Sequence, residues 1–159
     1  MSGKAFLDTN VFVYAASPQD LRFATAVDLL REGGTISVQV LNEFANVARR
    51  KLRRSWPEVL EGLSAMRVVC PDPLPLTTAT HETAMRIAEQ AGIGIYDALI
   101  VASALEGGCA LLLTEDLQDG RIFAGQLTIR NPFRDAWENR DTDGRFPWVF
   151  PVASGRGRH

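Results

Sequence analysis

IYDALIVASALEGG at 95–108 and ALLLT at 110–114 read as a buried helix followed by a buried strand, and the strand runs straight into the acids Glu115 and Asp116. Near-continuous apolar runs of this kind suit a parallel sheet covered on both faces, where neither side of a strand meets water. Working toward the N-terminus, TATHETAMRIAEQAG at 78–92 is a helix with Thr80 as candidate N-cap and Gly92 as its stop. SWPEVLEGLSAM at 55–66 starts another helix with Pro57 in its first turn, and MRVVC at 66–70 reads as a strand before the proline-rich PDPLPL. QVLNEFANVARRKL at 39–52 carries an apolar stripe of Val40, Leu41, Phe44, Val47 and Ala48, with Ser37 as its candidate cap and TISV at 35–38 as a short strand before it. LRFATAVDLLREGG at 21–34 is a helix stopped by Gly33-Gly34, and AFLDTNVFVYA at 5–15 opens with a β-prone run. On the other side, QLTIRNP at 126–132 gives a last strand. Strands alternating with helices predict one α/β unit with a mainly parallel sheet, without an internal repeat or a second domain.

Composition sets the outer bounds. A chain of 159 residues with 46% apolar and 23% charged residues has the size and balance of one globular domain. No apolar run approaches the roughly 20 residues that span a bilayer, and MSGKAFLDTN lacks the long apolar stretch of a signal peptide, so a cytoplasmic protein is expected. Cys70 and Cys109 are isolated from each other and from histidine, which suits small core residues and not a zinc site. A net charge of −2 argues against nucleic-acid binding by bulk charge and leaves room for a local basic patch.

Asp8, Glu43, Asp97 and Asp116 each sit in or against an apolar segment. Taken singly, each fits an N-cap or a surface carboxylate. Together they need another account, because ionised carboxylates gathered beside a core repel one another and lose hydration unless a cation or donors compensate. Oxygen-only ligands point to a hard divalent metal. In open α/β sheets sites form beyond the carboxyl ends of strands, where Asp8 and Asp116 are placed; Asp97 opens a helix whose N-terminus partly offsets a negative charge. A metal-dependent enzyme follows, with a nuclease as the first reading.

LDTNVFVYA at 7–15, SVQVLNEF at 37–44, IYDALIVASAL at 95–105 and LLTEDLQDG at 112–120 together resemble the PIN-domain ribonucleases, and within them the VapC-type toxins of prokaryotic toxin–antitoxin pairs. The likeness extends over residues 5–133, with four separated blocks in order, each bringing its acid. It implies a three-layer α/β/α fold with a mainly parallel sheet of about five strands. It also implies cleavage of single-stranded RNA, dimerisation, and inhibition by a small antitoxin. Carried over by motif, the acidic pocket for magnesium or manganese falls on Asp8, Glu43, Asp97 and Asp116. Cutting a phosphodiester requires charge neutralisation, an activated water and a stabilised leaving oxygen, and one or two divalent ions supply all three. Asp8 and Asp97 are the first choice as direct ligands, while Glu43 and Asp116 fit either metal binding or proton acceptance.

Around this set, Asn10 and Thr114 suit donors that orient carboxylates, though a turn residue and a strand-end hydroxyl explain them equally well. Asp119 is an auxiliary acid beside the last motif, and Glu115 reads as solvated. Arg49, Arg50, Lys51, Arg53 and Arg54 form the strongest charge run; it fits a solvated helix end favoured by the dipole, or a patch that guides an RNA backbone to the acids. His81 and His159 have no triad-like setting, which disfavours a paired-histidine mechanism. Residues 134–159 change character, with Trp137, Trp148 and Phe150 among polar and proline-bearing stretches, and are expected to form a partly disordered extension. Two other classes stay open. One is a phosphatase with an aspartyl nucleophile at Asp8, which usually has a second Asp where this chain has Asn10; the other is a non-catalytic RNA- or protein-binding module.

Overall fold

The computed structural model describes residues 4–134, so the expectations for the C-terminal extension fall, from residue 135 onward, outside the described residues. In chain order the elements are β1 (Ala5–Leu7), α1 (Thr9–Ala15), α2 (Phe23–Glu32), α3 (Val38–Arg50), α4 (Trp56–Val69), α5 (Thr78–Ala91), α6 (Ile95–Glu106), β2 (Leu111–Leu113), β3 (Ile122–Phe123) and β4 (Leu127–Arg130). The sheet order is β1-β2-β4-β3. β1, β2 and β4 run parallel, and the two-residue β3 pairs antiparallel at the edge. Successive strand residues point to opposite faces, and Phe6, Leu7, Leu112 and Leu113 are all buried, so helices cover the sheet on both sides. The architecture is the expected α/β class.

Four strands stand where about five were expected: two of the expected runs are helical or loop, and the two-residue β3 is an addition. TISV at 35–38 does not form a strand. It makes single bridges, Thr35 to Phe6 and Ser37 to Leu74, before α3 begins. MRVVC is the last turn of α4 and its C-cap Cys70, because the Ser55–Glu58 capping box and Pro57 start a helix that runs through Gly62 and stops only ahead of Pro71. DTNVFVYA does not prolong β1 either; Asp8 turns the chain and caps α1, whose Val11 and Phe12 are buried. Thr80 proves to be the third residue of α5, and Thr77 is the N-cap, the two hydroxyl side chains each accepting from the other's backbone N–H. Gly92 ends α5 in the left-handed conformation at φ 65°, as a C-cap glycine does.

One pairing positions everything that follows. Leu7 and Leu113 are in register as the last residues of β1 and β2, and the Asp8 N–H continues the ladder to the Leu113 carbonyl at 3.1 Å. Asp8 and Thr114 therefore emerge side by side from the carboxyl edge of the sheet. No single helix among the described residues is long and apolar enough to cross a membrane.

Candidate active site

Asp8 is 4% exposed and both of its oxygens accept hydrogen bonds, Oδ1 from the Thr9 N–H and Oδ2 from the Thr114 hydroxyl, each at 2.7 Å. The next residue extends the chain of contacts: Thr9 donates from Oγ1 to Glu43 Oε2 at 2.7 Å and so ties the start of α1 to α3. Asn10 donates from its amide to Asp116 Oδ2 at 3.2 Å and to Thr114 Oγ1 at 3.4 Å, and the Asp116 N–H donates to Thr114 Oγ1 at 3.1 Å. Thr114 is fully buried and links Asp8, Asn10 and Asp116.

Asp97 enters from the first turn of α6. Glu43, Asp97 and Asp116 line one cavity of about 920 Å³, together with Thr9 and Asn10, and Asp8 lies just behind them. The elements converge because β1 and β2 end at the same level while α3 and α6 bring their inner faces to that edge.

Electrostatics record the crowding. Burial raises the Asp8 carboxyl to about 7, with Glu43 and Asp116 adding to the rise and the Thr114 and Thr9 donors opposing it. Glu43 is raised chiefly by burial and further by Asp97 and Asp116, against donors from Thr9 and Gln39. Asp97 is raised by burial and by Asp116. The four acids thus form one mutually repelling group.

Among the described residues no three acidic, histidine or cysteine side chains close into a ready-made metal cage. Two features nevertheless fit a hard divalent ion. Apart from the cations Arg50 and Lys51, the polar side chains lining the cavity carry carboxylate, hydroxyl or amide groups, and Asn10 Oδ1 is buried without a hydrogen-bond partner beside the acids. Magnesium keeps several waters and takes one or two carboxylates, so it does not require a closed cage.

The remaining expected residues separate. Asp119 lies off the cavity wall, where the Asn131 N–H and Arg134 occupy its carboxylate and lower its pKa. Glu115 is not simply solvated: it accepts from the Tyr14 hydroxyl and from Arg22 Nη1 at 3.3 Å. Arg22 also forks onto Asp20 and stacks 3.8 Å over the Tyr14 ring, fastening the segment beside Asp116 to α1. In the charge run, Arg50 and Lys51 face the cavity. Arg49 bonds the Arg54 carbonyl and lies 4.8 Å over Trp56, Arg53 adopts a left-handed φ of 52°, and Arg54 reaches the Ala16 carbonyl. Thr9, Gln39, Asn42, Asn46 and Tyr96 line the cavity without having been expected there. Only the exposed-face spacing of Asn42 and Asn46 within a helix offered a signal for any of them.

A fold with these acids at the carboxyl edge of its parallel strands is matched over residues 5–121 by the family model of the PIN domain. The chain belongs to the PIN domain family. Its fold is also that of VapC20 from Mycobacterium tuberculosis, a sarcin–ricin-loop-cleaving toxin, at 20% identity and TM-score 0.58, covering 70% of this chain and 91% of that one. VapBC2 from Rickettsia felis, solved on a DNA fragment from its promoter, is similar at 20% identity and TM-score 0.56 over 80% of this chain and 98% of its own. No curated protein matches the chain.

Proposed function

We propose that this protein is a magnesium- or manganese-dependent endoribonuclease that cuts single-stranded RNA as the toxin of a type II toxin–antitoxin pair. The observation that carries this reading is the joining of Asp8, Glu43, Asp97 and Asp116, from four separate segments of the chain, into one mutually repelling group, three of them lining a single cavity. When bound, the divalent ion supplies charge neutralisation at the phosphate and activation of water. Thr114, Thr9 and Asn10 hold the carboxylates in orientation. Glu43 and Asp116 face the cavity and can accept the proton of the attacking water, and Arg50 and Lys51 at its rim suit phosphate contacts.

An aspartyl-nucleophile reaction is poorly supported, since Asp8 is almost wholly buried with a donor on each oxygen and is not presented for in-line attack. An antitoxin partner and a homodimer are proposed from the family membership and from the likeness to VapBC2. The purified protein is expected to cut single-stranded RNA with magnesium or manganese and to stop with chelator. Asp8→Asn and Asp97→Asn are expected to abolish turnover with circular dichroism near wild type. Full activity in chelator defeats the metal reading, and unchanged cleavage in a variant removes that residue from the site. For the toxin role, expression alone should arrest bacterial growth and a small protein encoded beside it should relieve the arrest. Normal growth with abundant soluble protein counts against a toxin.

A further inference from the structure

Helix α6 buries Ala98, Ile100, Val101, Ala102, Ser103 and Ala104, yet its first turn exposes Ile95 at 52% and Tyr96 at 67%. Tyr96 stands on the cavity wall immediately before Asp97. A tyrosine ring kept in water at the lip of a polar cavity offers an apolar face to a flat ligand.

The wall on α3 is complementary. Asn42 and Asn46 are exposed, line the same cavity and lie one turn apart. Asparagine is a poor choice for a helix interior, so two of them at this spacing are not there to support α3. An amide both donates and accepts, which matches the edge of a nucleobase. Along α3 the cavity-facing side chains run from the acid Glu43, through Asn46, to the cations Arg50 and Lys51. From Glu43 to Arg50 the helix rises roughly 10 Å, so an acid end and a phosphate-attracting end are separated by an amide stretch.

Resting on the ribonuclease reading, we infer that Tyr96, Asn42 and Asn46 form a nucleobase subsite beside the acids. The Tyr96 ring stacks on one base next to the scissile phosphate, the two amides bond that base's edge, and Arg50 and Lys51 take a neighbouring phosphate. This subsite sets the base preference at one position of the cut.

The test uses the full chain with magnesium or manganese and a pool of short single-stranded RNAs with a randomised core, whose cut ends are sequenced. Wild type is expected to prefer one base beside the cut, and the double variant N42A/N46A to lose that preference while still cutting. On the best-cut sequence, Tyr96→Leu should raise KM by roughly tenfold with kcat changed much less, and Tyr96→Phe should restore it, as expected for stacking. A strand with 2-aminopurine at the preferred position should be quenched by wild type in chelator and not by Tyr96→Leu. Wild-type KM in Tyr96→Leu, or an unchanged preference in the double variant, overturns the subsite and leaves the nuclease standing. A wild-type protein that cuts no RNA defeats the ribonuclease reading, and the subsite with it.

Discussion

Asp8 is the residue in which sequence, geometry and charge meet most tightly. Its carboxyl, raised by burial to about 7, keeps its proton in the fold where the unfolded chain has already lost it. In chelator, the stability that the proton provides is therefore present at acid pH and lost as pH rises from the ordinary carboxylate range through about 7. Asp8→Asn cannot ionise, so its stability relative to wild type should improve across that window by up to roughly 4 kcal/mol. Urea midpoints measured against pH decide it, and parallel curves for the two proteins would mean that Asp8 ionises like an exposed acid. The four acids could be read from the sequence because each interrupts an apolar run. Thr114, which holds Asp8, reads equally as a donor to the acids or as a strand-end hydroxyl, and Thr9, which holds Glu43, gives no such signal, since a threonine at a helix start is ordinary. Glu115 misleads for a related reason: its partners Tyr14 and Arg22 are 101 and 93 residues away along the chain, and no local pattern announces them.

Among the elements, α2, α3, α5 and α6 were legible from apolar spacing and glycine stops, whereas short runs of β-branched residues were not. VFVY in α1 and RVV in α4 have strand-like composition, but a cap upstream and packing against neighbours hold both in helices. TISV fails as a strand because it leaves the edge of β1 after one bridge and enters α3. That approach depends on Gly34. A Cβ there would stand 2.8 Å from Leu7 Cγ and 3.0 Å from the Ala5 carbonyl oxygen. Gly34→Ala should destabilise the protein by about 1–3 kcal/mol, since the backbone oxygen cannot swing aside as a side chain can. A urea midpoint equal to wild type would show that the edge of β1 has slack.

For the molecule as a whole, α/β class and parallel pairing followed from near-continuous apolar strands, but the strand order did not, because pairing partners far apart in sequence leave no local trace. The coupled acids make a global prediction. A divalent ion that binds only the native state should raise the melting temperature as its concentration increases. Asp97→Asn removes one like charge, so without metal it should melt no lower than wild type, and its further gain with manganese should be smaller. Scanning calorimetry at one pH near neutrality and fixed ionic strength holds general screening constant. A variant strongly destabilised without metal that still gains the full increment would make Asp97 a structural residue only. The register of Leu7 with Leu113 also has a consequence for synthesis. β1 leaves the ribosome before its sheet neighbour β2, which is made more than a hundred residues later, and Asp8 meets Thr114 only then. Contacts so remote in sequence form late. A nascent chain thus stays without an assembled acidic group until the residues that follow β2 have been made, which gives any partner made nearby a long interval in which to be waiting for it.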